Sequence, residues 1–171
     1  QLESLVGHIT RDWCDGFVEE AQIYWGERDG RALGRQFQRA FPAAYRELYT
    51  PLQAIADVLL IDELENVGQL GIAFNNLDGE KNNLLQLKLF HWDSPLELSD
   101  MIPMLENLGF RVMVEHPYLI KPEAGNQIWL QDFRLSFSLD VDVDVSAVQG
   151  SFKDALRVVW QGEAENDSFN R

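Results

Sequence analysis

The chain has 171 residues, of which 46% are hydrophobic and 25% are charged, and it holds a single cysteine. This is the composition of a globular protein, and it excludes a disordered, collagen-like or disulfide-stapled chain. Its 14 basic and 28 acidic residues give a net charge of -14, which would repel nucleic acid and anionic membrane surfaces.

The first 66 residues are predicted to be helical and to form a first domain. The segment from Gly26 to Gly30 is expected to end the first helix. This helix has one apolar side, and polar residues line its other side. The apolar stripe that predicts this helix recurs at every fourth residue: Leu5, Ile9, Trp13, Phe17 and Ala21.

Two further helices are expected before residue 66. Thr50 followed by Pro51 predicts a helix start, because a capping hydroxyl and a proline in the first turn are both favoured there. The helix that follows, from Leu52 to about Glu65, is apolar on most sides and should be deeply packed. The segment before it is interrupted at Pro42 and carries the apolar stripe Leu33, Phe37, Phe41, Ala44 and Leu48.

Residues 67–171 are predicted to form a second domain that starts with two strands. After Gly68 the apolar period changes from near four to two, which is typical of a strand. Asp78-Gly79 lies in the polar connection between the two strands. The alternating apolar residues are expected to share one face of a sheet: Leu70, Ile72, Phe74, Leu85, Leu87 and Leu89.

A helix capped by Ser99 and ended by Gly109 is predicted next, with Pro103 in its first turn. A third strand contains Val112 and Val114 and is expected to end near Pro117. A fourth strand is predicted over residues 128–137, and a last helix, over residues 150–161, contains Phe152, Leu156 and Val159.

The fold class predicted from this order is α+β, with a helical lead-in before a β-β-α-β-β-α domain. A four-stranded antiparallel sheet with two helices on one face is the natural way to bury that pattern. The order is a circular permutation of the ferredoxin-like β-α-β-β-α-β motif, with its last strand moved to the front.

Metal and thiol chemistry are not indicated by the sequence. His8, His91 and His116 lie on different predicted elements, and no pair has the spacing that places two imidazoles around one metal. Cys14 lies beside Trp13 on the apolar side of the first helix, which favours a buried and inert thiol. It has no partner for an internal disulfide, which fits a reducing, cytoplasmic location.

Calcium and nucleotide chemistry are not indicated either. Asp140, Asp142 and Asp144 resemble a calcium loop, but Val145 and Ser151 stand where an EF-hand needs glycine and glutamate. The interpretation we favour is a solvated acidic side of an extended segment. The sequence contains no glycine-rich dinucleotide or phosphate motif, so no catalytic, cofactor-binding or metal-binding residue is assigned.

Several strings resemble, in the same order, a region of the very large bacterial NAD-specific glutamate dehydrogenases. The match extends over most of residues 13–171, and its order and spacing make it specific. The strings are FPAAYRE at 41–47, LQLKLF at 85–90, LSDMIPMLENLG at 98–109, EHPY at 115–118, WLQDF at 129–133 and the tail 160–171.

The resemblance implies a non-catalytic regulatory or assembly part of a multidomain enzyme, with an ACT-like domain in residues 67–171. In that family the dehydrogenase domain follows further along the chain and uses NAD to convert L-glutamate to 2-oxoglutarate. Like subunits and other domains of the same chain are the implied partners, through the sheet edge or the first helix with Trp13, Phe17 and Trp25. Because the chain does not begin with Met, we expect a piece of a longer protein.

An amino-acid effector is the remaining expectation from this resemblance. Many ACT modules bind amino acids near the loop between a strand and the helix after it, which here is His91 to Ser99. Asp93, Ser99 and Asp100 are the candidate effector-binding residues, because N–H groups at a helix start attract a carboxylate. The loop has no glycine to admit a ligand, so a purely structural role is an alternative. A free-standing ACT-like amino-acid-binding protein is the alternative function.

Overall fold

The computed structural model describes residues 2–64, 70–77, 83–137, 150 and 153–158, and side chains from residue 13 onward. Residue 150 and residues 153–158 are helical. The other elements, in chain order, are α1 (Leu2–Trp25), α2 (Glu27–Phe37), α3 (Ala43–Leu48), α4 (Pro51–Asp62), β1 (Gly71–Asn76), β2 (Leu84–Trp92), α5 (Leu98–Asn107), β3 (Phe110–Ile120) and β4 (Ile128–Phe137). The predicted helical lead-in and the α+β domain after it are confirmed.

The four strands form one sheet in the order β1-β2-β4-β3. The Phe137 N–H donates to the Asn83 carbonyl at 3.2 Å, and the Asp93 N–H donates to the Gln127 carbonyl at 2.9 Å. Both bonds fix the same antiparallel register between β2 and β4, at opposite ends of the pair. Moving the last strand of a ferredoxin-like motif to the front produces this strand order, so the predicted permutation is confirmed.

The chain divides into two compact units, each of which is built from three separate segments of the sequence. The first unit contains the chain up to Gly71, together with Phe90–Pro95 and Pro117–Gln131. The second contains Ile72–Leu89, Leu96–His116 and the chain from Asp132 onward. Long strands therefore contribute residues to both units.

An aromatic cluster forms the core of the first unit. The Trp13 ring stacks on that of Phe17 with 5.8 Å between centroids, and the Phe41 ring stacks on Tyr45 at 4.5 Å. The Tyr45 hydroxyl donates to the buried carboxylate of Asp57 at 2.5 Å. The predicted apolar stripe of α1 is confirmed over its described residues. However, Trp13 and Phe17 are core residues, so the prediction that they offer a contact surface is wrong.

Helices α1 and α2 form a hairpin that turns at Gly26. This residue has φ of 87°, a left-handed conformation that glycine adopts without strain. Gly30 lies inside α2, so the predicted break is right at Gly26 and wrong at Gly30. A Cβ atom on Gly30 would stand 2.3 Å from the Ala21 carbonyl oxygen, which shows how closely the two backbones approach.

The short helix α3 presents a different face from the predicted one. Ala44 and Leu48 are exposed, whereas Tyr45 and Tyr49 are buried. The stripe changes phase because residues 38–42 lie outside both helices, so the spacing of four is not maintained across them.

The start of α4 follows the prediction in detail. The Gln53 N–H donates to the Thr50 hydroxyl at 3.3 Å, and the Gln53 side chain accepts from the Thr50 N–H at 2.9 Å. These two bonds form a capping box that satisfies two donors at the helix start. The expected deep packing is confirmed by the buried residues Ala54, Ile55, Val58 and Ile61.

The β1–β2 hairpin buries all six of the predicted apolar residues. The Leu77 N–H donates to the Leu84 carbonyl at 3.5 Å, a register that places Ile72 opposite Leu89. Directly opposed residues share a face of the sheet, so this part of the prediction is confirmed. The other side of β2 is buried as well, at Gln86 and Lys88, which the alternation did not predict.

We expect Leu87→Ala to lower the free energy of unfolding by about 2–5 kcal/mol, because truncating a buried leucine leaves a cavity. Leu87 is fully buried, with 0% of its surface exposed. Urea unfolding followed by circular dichroism measures the change. Leu52→Ala, at a position that is 62% exposed, is the control and should cost less than about 0.5 kcal/mol. Equal small costs at both positions would contradict the burial of Leu87.

Helix α5 begins earlier than predicted. Its N-cap is Glu97, whose carbonyl accepts from the Asp100 N–H at 3.1 Å and the Met101 N–H at 3.0 Å. The prediction that Ser99 caps the helix is therefore wrong, because the first turn already closes on Glu97. Pro103 lies beyond the first turn for the same reason.

The predicted end of α5 is confirmed, and the predicted end of the strand after it is wrong. Gly109 ends the helix as predicted, with φ of 92°. Strand β3 does not end at Pro117 but continues to Ile120. It lies at an edge of the sheet, where a residue without an N–H is tolerated.

Several predicted features lie outside the described residues. They include the Asp78-Gly79 connection, the acidic residues Asp140, Asp142 and Asp144, and the ends of the last helix at Phe152 and Val159. Within that helix Leu156 is described and is buried.

Candidate functional site

Asp93 lies at a tight turn that directly follows β2. Its φ of 65° is left-handed, a conformation that aspartate tolerates better than most residues. The turn is held by the Ser94 N–H, which donates to the Trp92 carbonyl at 2.8 Å, and by the Asp93 N–H bond to Gln127. His91 Nδ1 lies 3.0 Å from the Ser94 carbonyl oxygen. Backbone bonds therefore set this turn, and the Asp93 side chain is exposed on it.

Ser99 and Asp100, the other two predicted effector residues, occupy the first turn of α5 and are exposed. Because the Asp100 and Met101 N–H groups bond to Glu97, the N–H groups of Leu98 and Ser99 are the ones without intrahelical acceptors. The Asp100 carboxylate already complements the positive end of the helix dipole, which weakens the attraction for an added anion. Ser99 and Asp100 belong to the second compact unit, whereas Asp93 belongs to the first.

A buried polar cluster on the two central strands escaped the sequence analysis. Asp132 is fully buried, and its Oδ1 atom accepts from Gln86 Nε2 at 3.1 Å and from Arg134 Nη1 at 2.9 Å. The register of β2 and β4 places Lys88, which is also buried, directly opposite Asp132. We define these four residues (Gln86, Lys88, Asp132 and Arg134) as the polar cluster. Its carboxylate is enclosed by hydrogen-bond donors, which suits it to fixing strand register rather than to reacting with a substrate.

An open groove of about 530 Å³ lies in the second unit, where α5 meets the start of β3 and the end of β4. One cationic side chain, one anionic side chain and two phenylalanines line it. The lining residues are Glu106, Gly109, Phe110, Arg111, Ser136 and Phe137. Nothing in the residue pattern signalled this groove, because its parts come from three separate elements.

Cys14 and the histidines show no arrangement for catalysis among the described residues. Cys14 is half-buried rather than buried, with its Sγ 3.1 Å from the Gln38 carbonyl oxygen and 3.8 Å from Arg46 Nη1. His116 is exposed on β3. Within the described ranges, no three His, Cys, Asp or Glu side chains are grouped to hold a metal ion. No described helix combines the length and apolar character needed to cross a bilayer.

Two models of glutamate dehydrogenase regions match this chain. Residues 22–64 match the model described as "Glutamate dehydrogenase, helical motif 2". Residues 69–148 match the model described as "Glutamate dehydrogenase, ACT3 domain".

Comparison with full-length proteins also points to glutamate dehydrogenases, and this chain matches only a small part of each of them. The NAD-specific glutamate dehydrogenase of Halomonas elongata is 36% identical over 171 residues, which are 100% of this chain and 10% of the relative. That of Pseudomonas aeruginosa is 35% identical over 100% of this chain and 11% of the relative. That of Mycobacterium tuberculosis is 26% identical over 99% of this chain and 10% of the relative. The chain therefore spans about a tenth of the length of these relatives, and it belongs to the glutamate dehydrogenase family as its helical motif 2 and ACT3 domain.

Proposed function

We propose that this chain is a non-catalytic regulatory or assembly segment of a large NAD-dependent glutamate dehydrogenase. The observation that carries the proposal is a match along the whole chain to only a tenth of relatives named as NAD-specific glutamate dehydrogenases. The parent enzyme would oxidatively deaminate L-glutamate to 2-oxoglutarate with NAD, as a cytoplasmic homo-oligomer. The gap between the two matched regions supports the proposed division into residues 1–66 and 67–171.

The proposed lack of catalytic chemistry is supported, for the residues that the structure describes, by where two buried polar groups lie. The Tyr45–Asp57 pair is enclosed in the aromatic core of the first unit. The carboxylate of Asp132 is fully buried between two strands. Groups so enclosed stabilise a fold, whereas a catalytic group must reach a substrate. Regulation or assembly would therefore act through contacts at the surface.

Within this proposal, Asp93, Ser99 and Asp100 are the candidate residues for an amino-acid effector. The N–H groups of Leu98 and Ser99 offer hydrogen bonds to an effector carboxylate, and the Asp100 side chain in the same turn offers one to an effector ammonium. Asp93 is a candidate on the sequence resemblance alone. Two carboxylates oppose the binding of an acidic effector. We therefore keep assembly without an effector as the second arm of the proposal.

We expect Ser99→Ala and Asp93→Ala, made in the full-length enzyme, to leave glutamate turnover without effectors nearly unchanged. Turnover should stay unchanged because both side chains are exposed and neither lies in the buried core. Both variants should shift the concentration dependence of activation or inhibition by amino acids, because each removes a proposed contact with the effector. Steady-state NADH formation across an amino-acid panel measures both quantities. Asp62→Ala, at an exposed position on α4, is the matched control.

Each outcome of that experiment separates the two arms. An unchanged effector response in both variants would remove the effector hypothesis and leave assembly. Abolished basal turnover in a correctly assembled variant would overturn the non-catalytic assignment itself.

A further inference from the structure

We propose that the outward side of α4 packs against an amphipathic helix from another part of the same large polypeptide, outside these 171 residues. Four residues define this surface, the α4 outer face: Leu52, Ala56, Leu59 and Leu60. The proposal rests on the proposed function in taking this chain as one segment of a larger enzyme, and it names a contact that holds the segment in place. All four residues belong to the first compact unit.

Helix α4 is apolar on both of its sides. One side is buried in the first unit. On the other side Leu52 is 62% exposed, Ala56 is exposed, and Leu59 and Leu60 are half-buried. A helix that is hydrophobic all round is normally buried on every side. The α4 outer face is therefore a surface that a further element covers.

The four residues share one side of the helix because they recur at intervals of three and four. From Leu52 the others follow at i+4, i+7 and i+8, the spacing by which one helix packs on another. Leu52, Ala56 and Leu60 form a single ridge, and the small side chain of Ala56 leaves a depression between the two leucines. A partner helix with a large apolar residue at its centre fills this depression.

Charged side chains are rare in this part of the sequence. Residues 48–61, all of which the structure describes, contain one charged residue, although 25% of the whole chain is charged. That residue is Asp57, which is 3% exposed and accepts a hydrogen bond from the Tyr45 hydroxyl. Depletion of charge is typical of the core of a protein interface. The partner is therefore apolar where it meets the α4 outer face.

The size of the α4 outer face favours a partner in the same polypeptide over a second copy. Helix α4 has 12 residues, so its face is about 18 Å long and about 10 Å wide. Its area of roughly 200 Å² is far below the about 800 Å² that each partner of a stable dimer buries. A linked helix needs less area, because linkage gives an effective concentration on the order of 1 mM. About nine-tenths of the length of the relatives lies outside the matched region and can supply such a helix.

Thiol labelling of the full-length enzyme tests whether the α4 outer face is covered. We expect Ala56→Cys to react with a maleimide at least about tenfold more slowly than Ala32→Cys, because a packed helix must open before the reagent reaches the thiol. Ala32, an exposed alanine on α2, is the matched control. Peptide mass spectrometry measures each rate separately from the other thiols of the enzyme, and the two rates should become equal in urea.

Photo-cross-linking identifies the partner. Benzoylphenylalanine in place of Leu52 in the full-length enzyme should cross-link on irradiation to a peptide outside these 171 residues. That peptide should carry apolar residues at helical spacing, and the product should keep the mass of one subunit on a denaturing gel. The same photoreactive residue in place of Ala32 is the control and should not cross-link to that peptide.

Equal labelling of Ala56→Cys and Ala32→Cys in the native enzyme would overturn the proposal. A cross-linked product with the mass of two subunits would also overturn it, because a second copy would then cover the α4 outer face. A cross-link formed only within the 171 residues would overturn it as well. Neither measurement uses turnover or the response to effectors, so failure of the proposed regulatory function is detected separately.

Discussion

Gly30→Ala is expected to lower the free energy of unfolding by about 3 kcal/mol, the upper end of the usual cost of overpacking. The new Cβ atom would stand 2.3 Å from the Ala21 carbonyl oxygen and 2.4 Å from the Gln22 Cα atom. Both are backbone atoms of α1 and cannot rotate away, so the two helices must separate. The gain in helix propensity of about 1 kcal/mol from glycine to alanine offsets only part of this cost. Chemical unfolding followed by tryptophan fluorescence measures the change.

Two other glycines provide matched controls for this substitution. Gly34→Ala should cost less, since its Cβ atom would lie 3.1–3.2 Å from atoms of Val18, most of them in a side chain. Gly150→Ala meets nothing within 4 Å and should be neutral or slightly stabilising. A Gly30→Ala variant as stable as Gly150→Ala would contradict the close approach of α1 and α2.

The elements set by local physics were predictable from the sequence. The capping box at Thr50 depends on residues within a few positions of one another, and so does the end of α5 at Gly109. The alternation of Leu85, Leu87 and Leu89 predicted a buried strand face directly. The order of these elements then restricted the sheet to the permuted ferredoxin-like arrangement, because few topologies bury such a pattern.

The features that sequence reasoning missed depend on contacts between distant residues. Gly30 was expected to belong to a break between helices, whereas Gly30 and Gly34 both lie inside α2 and allow it to approach α1. The spacing G-x-x-x-G, which places both glycines on one helix face, was the available signal. Ser99 is a good capping residue in isolation, but the first turn of α5 closes on Glu97 instead.

The polar cluster on the central strands was also missed, because it too depends on contacts between distant residues. Gln86 and Lys88 alternate with leucines, a pattern that is typical of a strand with one solvated face. Both are nonetheless buried, and Gln86 donates to the Asp132 carboxylate on the neighbouring strand β4. Only the pairing of β2 with β4 brings Asp132 to them, and no local pattern encodes that pairing.

Asp132→Ala should lower the free energy of unfolding by about 3–5 kcal/mol, the usual cost of removing one partner of a buried ion pair. The loss has two physical causes. Gln86 Nε2 and Arg134 Nη1 lose their shared acceptor, and the buried residue Lys88, which lies directly opposite Asp132, loses the carboxylate on the neighbouring strand. Asp62→Ala, which removes an exposed aspartate, should change stability by less than about 0.5 kcal/mol.

A double variant distinguishes an unpaired charge from a simple cavity. Replacing both residues, with Lys88→Met and Asp132→Leu together, removes the two directly opposed charges of β2 and β4, and leucine keeps the branched shape of aspartate in a larger volume. Such paired replacements are often neutral or stabilising, so the double variant should unfold at higher urea concentration than Asp132→Ala alone. Arg134, whose side chain is 28% exposed, can then bond to water. If the double variant were as unstable as Asp132→Ala, the loss would come from packing, and the charges of the polar cluster would not be what holds β2 against β4.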